Sequence, residues 1–347
     1  MANITIKDIA KALNFSVSTI SKALNNSYEI SPETRKIVID YANEHKYKPN
    51  RLAKSLKIGQ TNSIGVIVSS YFSSTFLAQI LDGIHKASFE AGYDIIIMQS
   101  FENIDTEKAS LDALVSKGVD GILLSPVSEV SNSEYINYIH ENHCPVVLFD
   151  RINPDLKTTK IGVNEYRGAL EATQHLITIN RKRILFITGD KFGENNQRIQ
   201  GFKKALKNLD IPINPRYMVY CNLENVDEID EKISSSLLEL KKQNIMPNAI
   251  FGATDTITMR SLGILANLGI NVPEDIAVIG FANTDIAFSL NPALSTIRQP
   301  AKDMGYLALK KLIELIDLEA TTGKKTQVEE TILLETSIQI RKSTTLS

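Results

Sequence analysis

The stretch TIKDIAKALNFSVSTISKALN, Thr5 to Asn25, decides how the front of this chain folds. Ile6, Ile9, Ala10 and Leu13 recur at helical spacing, which predicts a short amphipathic helix over Ile6 to Leu13. Asn14-Phe15-Ser16 then breaks it, because Asn tolerates positive φ and Ser16 is a good N-cap. A second helix is expected from Val17 to Leu24, burying Ile20, Ala23 and Leu24 and turning Val17, Ser18, Ser21 and Lys22 outward. Ser31-Pro32-Glu33-Thr34 announces a third, an N-cap followed by Pro at the first helical position, which runs to about His45. Next, KPNRLAKSLK over residues 48–57 reads as about two helical turns closed by Gly59. So short a helix is marginal alone in water and needs something to hold it.

From Ser63 the texture changes to alternating buried-strand and helix patterns. Apolar runs stand at Ile64 to Val68, Asp94 to Met98, Val119 to Leu124, Val146 to Asp150, Arg183 to Thr188, Ala249 to Gly252 and Ile276 to Phe281. Amphipathic segments such as Phe76 to Ala91, Glu165 to Ile179 and Gln197 to Leu209 separate them. Repeated βαβ implies parallel sheets with helices on both faces. About ten strands fit two doubly wound lobes better than one sheet, with the break near Ile161 to Asn164. The division expected is a helix-turn-helix domain over 1–47, a hinge helix and linker over 48–60, and a core over 61–347. Within the core, lobe one takes 61–162 plus 293–325 and lobe two takes 163–292 plus 326–341.

A net charge of -2 conceals an asymmetry. Residues 1–60 hold ten Lys/Arg and five Asp/Glu, giving +5, so the remaining chain carries -7. A basic head on an acidic body suggests that the head meets a polyanion. No apolar run is long enough to span a membrane, and the polar start lacks the apolar stretch of a secretion signal. Cys144 and Cys221 are not in metal-ligand spacing, which fits a reducing compartment, and the cytoplasm is the expected location.

These segments are recognisable together. TIKDIAKALNFSVSTISKALN, SPETRKIVIDYANEHKYKPNRLAKSLK and TNSIGVIV resemble the lactose-repressor (LacI/GalR) family in order, spacing and length. GDKFGENNQRIQGF, NVPEDIAVIGF and NPALSTIRQP extend the likeness through the core. The resemblance implies an all-α helix-turn-helix domain with a hinge helix, then an α/β two-lobed core like that of periplasmic binding proteins. It also implies a repressor that grips pseudo-palindromic operator DNA as a homodimer and answers to a small effector, a carbohydrate in the first instance.

Elementary chemistry gives each candidate a part. On the second helix Val17 can meet a thymine methyl, Ser18 can donate or accept, and Lys22 can reach guanine O6/N7. Ser16, Thr19, Ser21 and Asn25, with Thr5, suit phosphates. In the family the positions matching Val17, Ser18 and Lys22 read the operator, although Arg is usual where Lys22 stands, and a lysine lacks the bidentate fork. Leu56 and Lys57 match hinge residues that wedge a minor-groove step, with Asn50, Arg51 and Lys54 beside them.

In the core the ends of the strands should face a crevice between the lobes. Ser69, Tyr71, Phe72 and Phe76 follow the first strand, and Asp150 and Arg151 end the fourth. Asn164, Arg198, Leu223, Thr254 and Asn283 stand at corresponding places in lobe two. By resemblance Asp150 and Arg198 bind effector hydroxyls or carboxylates, Phe76 lines the cleft, and Leu223 falls where an aromatic platform is common. The family's Asp after the aromatic of IGF is here Ala282, with Asn283 next as a partial substitute.

No GxSxG, HExxH or phosphate loop occurs, so no catalysis and no cofactor is expected. His140, His143 and Cys144 read as a helix end entering a strand rather than a metal site. A solute-binding transport protein or a nucleotide-dependent enzyme on a similar fold are the competing readings. The helix over Phe76 to Ala91 is the expected dimer contact, and after Arg341 only six residues remain, with no heptad tail for tetramers.

Overall fold

The computed structural model describes residues 4–47, 60–69, 74–127, 132–152, 155–193, 196–223, 225–325 and 328–345. The hinge expected over 48–60 falls, apart from Gln60, outside them, as do Asn50, Arg51, Lys54, Leu56 and Lys57 of the DNA-facing set and Tyr71 and Phe72 of the crevice set. The chain divides into two units, Met1–Asn62 and Ser63–Ser347.

In the first unit, α1 (Ile6–Leu13), α2 (Val17–Leu24) and α3 (Pro32–Glu44) close around Ile9, Ala10, Ile20, Ala23, Val38 and Ala42. So small a core depends on well-made helix ends. Thr5 caps α1 in a reciprocal box, with Asp8 accepting from the Thr5 backbone N–H at 2.9 Å. Those bonds from Thr5 hold the Asp8 carboxyl below its ordinary range. Asn14 ends α1 in the left-handed region at φ 55°, and Ser16 caps α2 by accepting from Thr19 N at 3.0 Å. Ser31 does the same for α3, accepting from Thr34 N at 3.2 Å.

The second unit contains two six-stranded sheets. The first has the order β11-β5-β4-β3-β1-β2 and is wholly parallel: β1 (Ser63–Val68), β2 (Asp94–Gln99), β3 (Gly121–Leu124), β4 (Val146–Phe149), β5 (Lys160–Val163) and β11 (Thr331–Leu334). The second has the order β12-β10-β9-β8-β6-β7: β6 (Ile184–Gly189), β7 (Met218–Cys221), β8 (Ala249–Gly252), β9 (Ala277–Phe281), β10 (Ser295–Arg298) and β12 (Ser337–Gln339). Only β12 runs antiparallel there.

Each sheet is apolar on both faces, as parallel sheets covered by helices must be. Ile64, Val66 and Val68 of β1 point to one core, under α4 (Thr75–Ala91) and α11 (Ala301–Thr322). Ile67 points to the other, under α5 (Ile104–Ser116) and α6 (Ser133–Asn142). In the second sheet Ile184 and Phe186 face α7 (Glu165–Thr178) and α8 (Gln197–Asn208). Leu185 and Ile187 face α9 (Val226–Lys242) and α10 (Asp255–Asn267). The α4–α11 crossing is close because glycines meet backbone: a Cβ on Gly83 would run into the Lys302 carbonyl oxygen, and one on Gly305 into that of Ile80.

The chain passes between the sheets after β5, after β10 and after β11. This corrects the expected lobe boundaries. β10, expected in lobe one, pairs with β9 in the second sheet, and β11, expected in lobe two, pairs with β5 in the first. The intervening α11 packs on the first sheet. Short strands of this kind carry no label of their sheet; hydrogen-bonded neighbours distant in sequence assign them. β2 also differs from the buried strand expected, since it is an edge with Ile97 44% exposed.

Candidate functional site

Two places gather the expected functional residues, one in each unit. On α2, burial of Ile20 and Ala23 turns the opposite face outward. Val17 is 44% exposed and Ser18 is exposed, so the apolar and hydroxyl groups expected to read base edges are open at the helix N-terminus. Ser16 Oγ and Thr19 Oγ1 share a hydrogen bond of 2.8 Å, and Asn25 Nδ2 donates to the Ser21 carbonyl at 2.8 Å. These residues are thus held as caps before any partner arrives. Lys22 forms an ion pair with Glu29, both half-exposed, which sequence reading had not anticipated. Exposed pairs of this kind are weak and readily exchanged for a phosphate or base.

In the second unit the carboxyl ends of both sheets contribute a polar cluster. Asp150 directly follows β4 with φ 66°, a left-handed conformation that Asp is among the few non-Gly residues to adopt. Its Oδ2 accepts from Ser125 Oγ at 3.5 Å, and Ser125 Oγ lies 3.4 Å from Ser69 Oγ. Burial raises the Asp150 carboxyl to about 6, against the pull of Arg151 and Arg198 and aided by Glu165 and Glu102. Phe76, on α4, is half-buried against the lobe-one core.

Arg198, near the start of α8, is 12% exposed. Its guanidinium donates to the Ala253 carbonyl and to Glu165 Oε1, and lies 4.2 Å above the Phe281 ring. Glu165 Oε1 also accepts from Gln299 Nε2 at 3.4 Å, at the crossing after β10. Asp255 accepts from the Asn283 backbone N–H at 2.9 Å, and burial raises its carboxyl.

Other expected ligands of the effector are occupied by the protein. Arg151 lays its fork on Glu102, with both contacts at 2.7 Å. Asn164 caps α7, accepting from Arg167 N at 3.1 Å and donating to Glu335 at 3.1 Å. Thr254 caps α10, accepting from Ile257 N at 3.3 Å. Leu223 packs over Gly189, where a Cβ would have no room. Asn283 is 2% exposed: its Oδ1 accepts from Gln299 N at 2.9 Å and its Nδ2 donates to Gln79 Oε1 and the Gln299 carbonyl, each at 2.8 Å. Its amide is therefore spent on holding lobes together and does not replace the acid that Ala282 lacks. Gln79, Glu165, Asp255 and Gln299 were not anticipated, because no local pattern marks them.

An exposed reading helix and a two-lobed core with a polar cluster at its strand ends define a class, the DNA-binding regulators that carry a ligand-binding body. Residues 5–50 match the profile of bacterial regulatory proteins of the lacI family, and residues 173–344 match the periplasmic binding protein-like domain. The chain is 33% identical over 346 residues to the probable HTH-type transcriptional repressor ExuR of Bacillus subtilis (strain 168), with 98% of each chain covered. Its fold superposes on the lac repressor dimer bound to operator and the anti-inducer ONPF with a TM-score of 0.85 at 22% identity, covering 99% of each chain. The transcriptional regulator CelR in complex with cellobiose gives a TM-score of 0.71 at 25% identity, covering 98% of this chain and 100% of that one. The chain belongs to the lacI family of bacterial regulatory proteins. The resemblance and fold class expected from the sequence are thereby borne out.

Proposed function

We propose that this chain is a cytoplasmic, homodimeric transcriptional repressor whose affinity for a pseudo-palindromic operator is set by a small metabolite, a carbohydrate, held between the lobes of the core. The observation that carries this is one chain joining α2, with Val17 and Ser18 open for base contact, to a two-sheet core that sets Asp150 directly after β4 and Arg198 near the start of α8. Thr5, Ser16, Thr19, Ser21 and Asn25 position the head on phosphates; Lys22 exchanges Glu29 for DNA. The segment 48–60 couples the two, Leu56 entering a base step and Asn50, Arg51, Lys54 and Lys57 holding the backbone. A coupling of about 1 to 3 kcal/mol would change operator affinity roughly 5 to 150-fold.

The crevice set in this reading comprises Ser69, Tyr71, Phe72, Phe76, Asp150, Arg198 and Leu223, with Arg151, Asn164, Thr254 and Asn283 supporting it. In this reading the crevice binds its ligand without turnover. No helix among the described residues is long and apolar enough to cross a membrane. The test is selection of genomic fragments by the purified chain at moderate salt, with and without metabolite extracts. Preference for particular fragments, altered by an extract, is expected; equal retention of random duplex would overturn the reading. Leu56→Ala should weaken specific more than nonspecific binding.

A further inference from the structure

A lone ammonium reads DNA poorly. It is a point donor that takes a phosphate, guanine O6 or N7, adenine N7 or thymine O4 alike, without the fork that fixes a guanine. Lys22, the cation of α2, therefore leaves open what makes its contact selective. Its partner Glu29 lies in the turn between α2 and α3, and the two side chains are 43% and 46% exposed. That turn is braced. Asn26 takes φ 58°, Ser27 N donates to the Lys22 carbonyl at 3.0 Å, and Arg35 Nη2 donates to the Ser27 carbonyl at 2.6 Å and to the Ile30 carbonyl at 3.4 Å. Tyr28, beside Glu29, is 94% exposed, so the turn stands out from the three-helix core. Of the other acids in this unit, Asp8 is held by Thr5, and Glu33, Asp40 and Glu44 stand on α3. Among the described residues Glu29 is the acid that meets the cation of the reading helix.

We propose that Glu29 is a specificity-determining residue of the reading head: its carboxylate accepts from the N4 amine of an operator cytosine when Lys22 turns to guanine. This rests on the regulator reading above and names how its head discriminates. The two side chains are in contact, so they reach one base pair or adjoining ones. In the major groove a carboxylate finds donors at cytosine N4 and adenine N6, and the cytosine amine lies beside guanine O6 on the same pair. Elsewhere on the duplex Glu29 meets phosphate oxygens and base acceptors, which repel it. Because the turn is held by Arg35 and Asn26, the acid stays on that face. A sequence without the amine leaves this carboxylate unpaired against a polyanion. The acid thus lowers affinity for random duplex and raises the ratio that separates operator from the rest of a genome.

The experiment selects randomised duplexes with the purified full chain, then compares that chain with Glu29→Ala on the selected duplex and on a random one at a single salt concentration. The Glu29 side chain holds only Lys22 among the described residues, so its removal leaves the fold intact. Each cytosine of the selected duplex is replaced in turn by N4-methylcytosine, which keeps its pairing with guanine but covers the amine hydrogen in the major groove. At one cytosine per half-site the methyl group should weaken the natural chain by about fivefold or more and leave Glu29→Ala unaffected. Glu29→Ala should also bind random duplex about threefold or more tightly than the natural chain does. A methyl effect equal in both chains, the absence of any methyl effect, or unchanged affinity for random duplex overturns the inference. Failure of the regulator reading looks different: the natural chain enriches no sequence at all, and the inference falls with it.

Discussion

Gln79 and Asn283 exchange two hydrogen bonds across the lobes, Gln79 Nε2 donating to the Asn283 carbonyl at 3.0 Å and Asn283 Nδ2 donating to Gln79 Oε1 at 2.8 Å. The pair ties α4 on the first sheet to the turn that follows β9 in the second. Because Asn283 is buried, its amide relies on these partners and on Gln299. The relative placement of the lobes therefore rests partly on a contact between residues 204 positions apart.

Gln79→Ala leaves the Asn283 amide one partner short. The expected loss is about 1 to 3 kcal/mol of stability, measured by urea unfolding. The lobes should also separate more readily, seen as a larger radius of gyration by small-angle scattering. An unchanged midpoint and radius would count against the pair as a tie.

Asp150→Asn should change stability in a pH-dependent way. The Asp150 carboxyl is raised to about 6, above its ordinary 3.8, because burial disfavours its ionised form. The folded chain therefore binds this proton more tightly than the unfolded chain. Its stabilising contribution is full below 3.8, is lost as pH rises toward 6, and stays lost above. Asn never ionises. The variant should melt higher than the natural chain at pH 8, and the advantage should fade as pH falls to about 4. An advantage constant with pH would refute the burial argument.

Two glycines on helices predict opposite outcomes. Gly83→Ala forces a Cβ into the Lys302 backbone at the α4–α11 crossing and should cost about 2 kcal/mol or more. Gly263 in α10 faces open space, so Gly263→Ala should gain about 0.5 to 1 kcal/mol from helix propensity. Chemical denaturation of both variants checks the pair.

Ser343 and Thr344 are polar yet buried. Ser343 is fully buried, donating from Oγ to the Val278 carbonyl at 2.6 Å and accepting from Ser295 N at 2.7 Å. Thr344 Oγ1 meets Ser295 Oγ at 2.7 Å and His175 Nε2 at 3.1 Å. Ser343→Ala should cost about 2 kcal/mol by orphaning two backbone groups, and hydrogen exchange should quicken along β9 and β10. Unchanged protection there would exclude the anchoring role.

The head was legible in the sequence because its signals are local: a capping residue, a helical period and a positive-φ Asn act within a few positions of one another. The βαβ alternation was legible for the same reason. What tertiary structure alone decided is pairing across distance. Residues 160–163, with Lys160 in their first place, do not read as a buried strand until Thr158 and Glu329 receive the lysine at 3.1 and 3.4 Å. Likewise β10 and β11 carry no mark of their sheet until β9 and β5 bond to them. The crevice residues could be named one by one, but whether Arg198 was free or matched by Glu165, and whether Asn283 faced a ligand or Gln79, depended on partners brought near only by the fold. Hydrogen bonds and charges act over a few ångströms of space, and sequence separation places no bound on which groups share them.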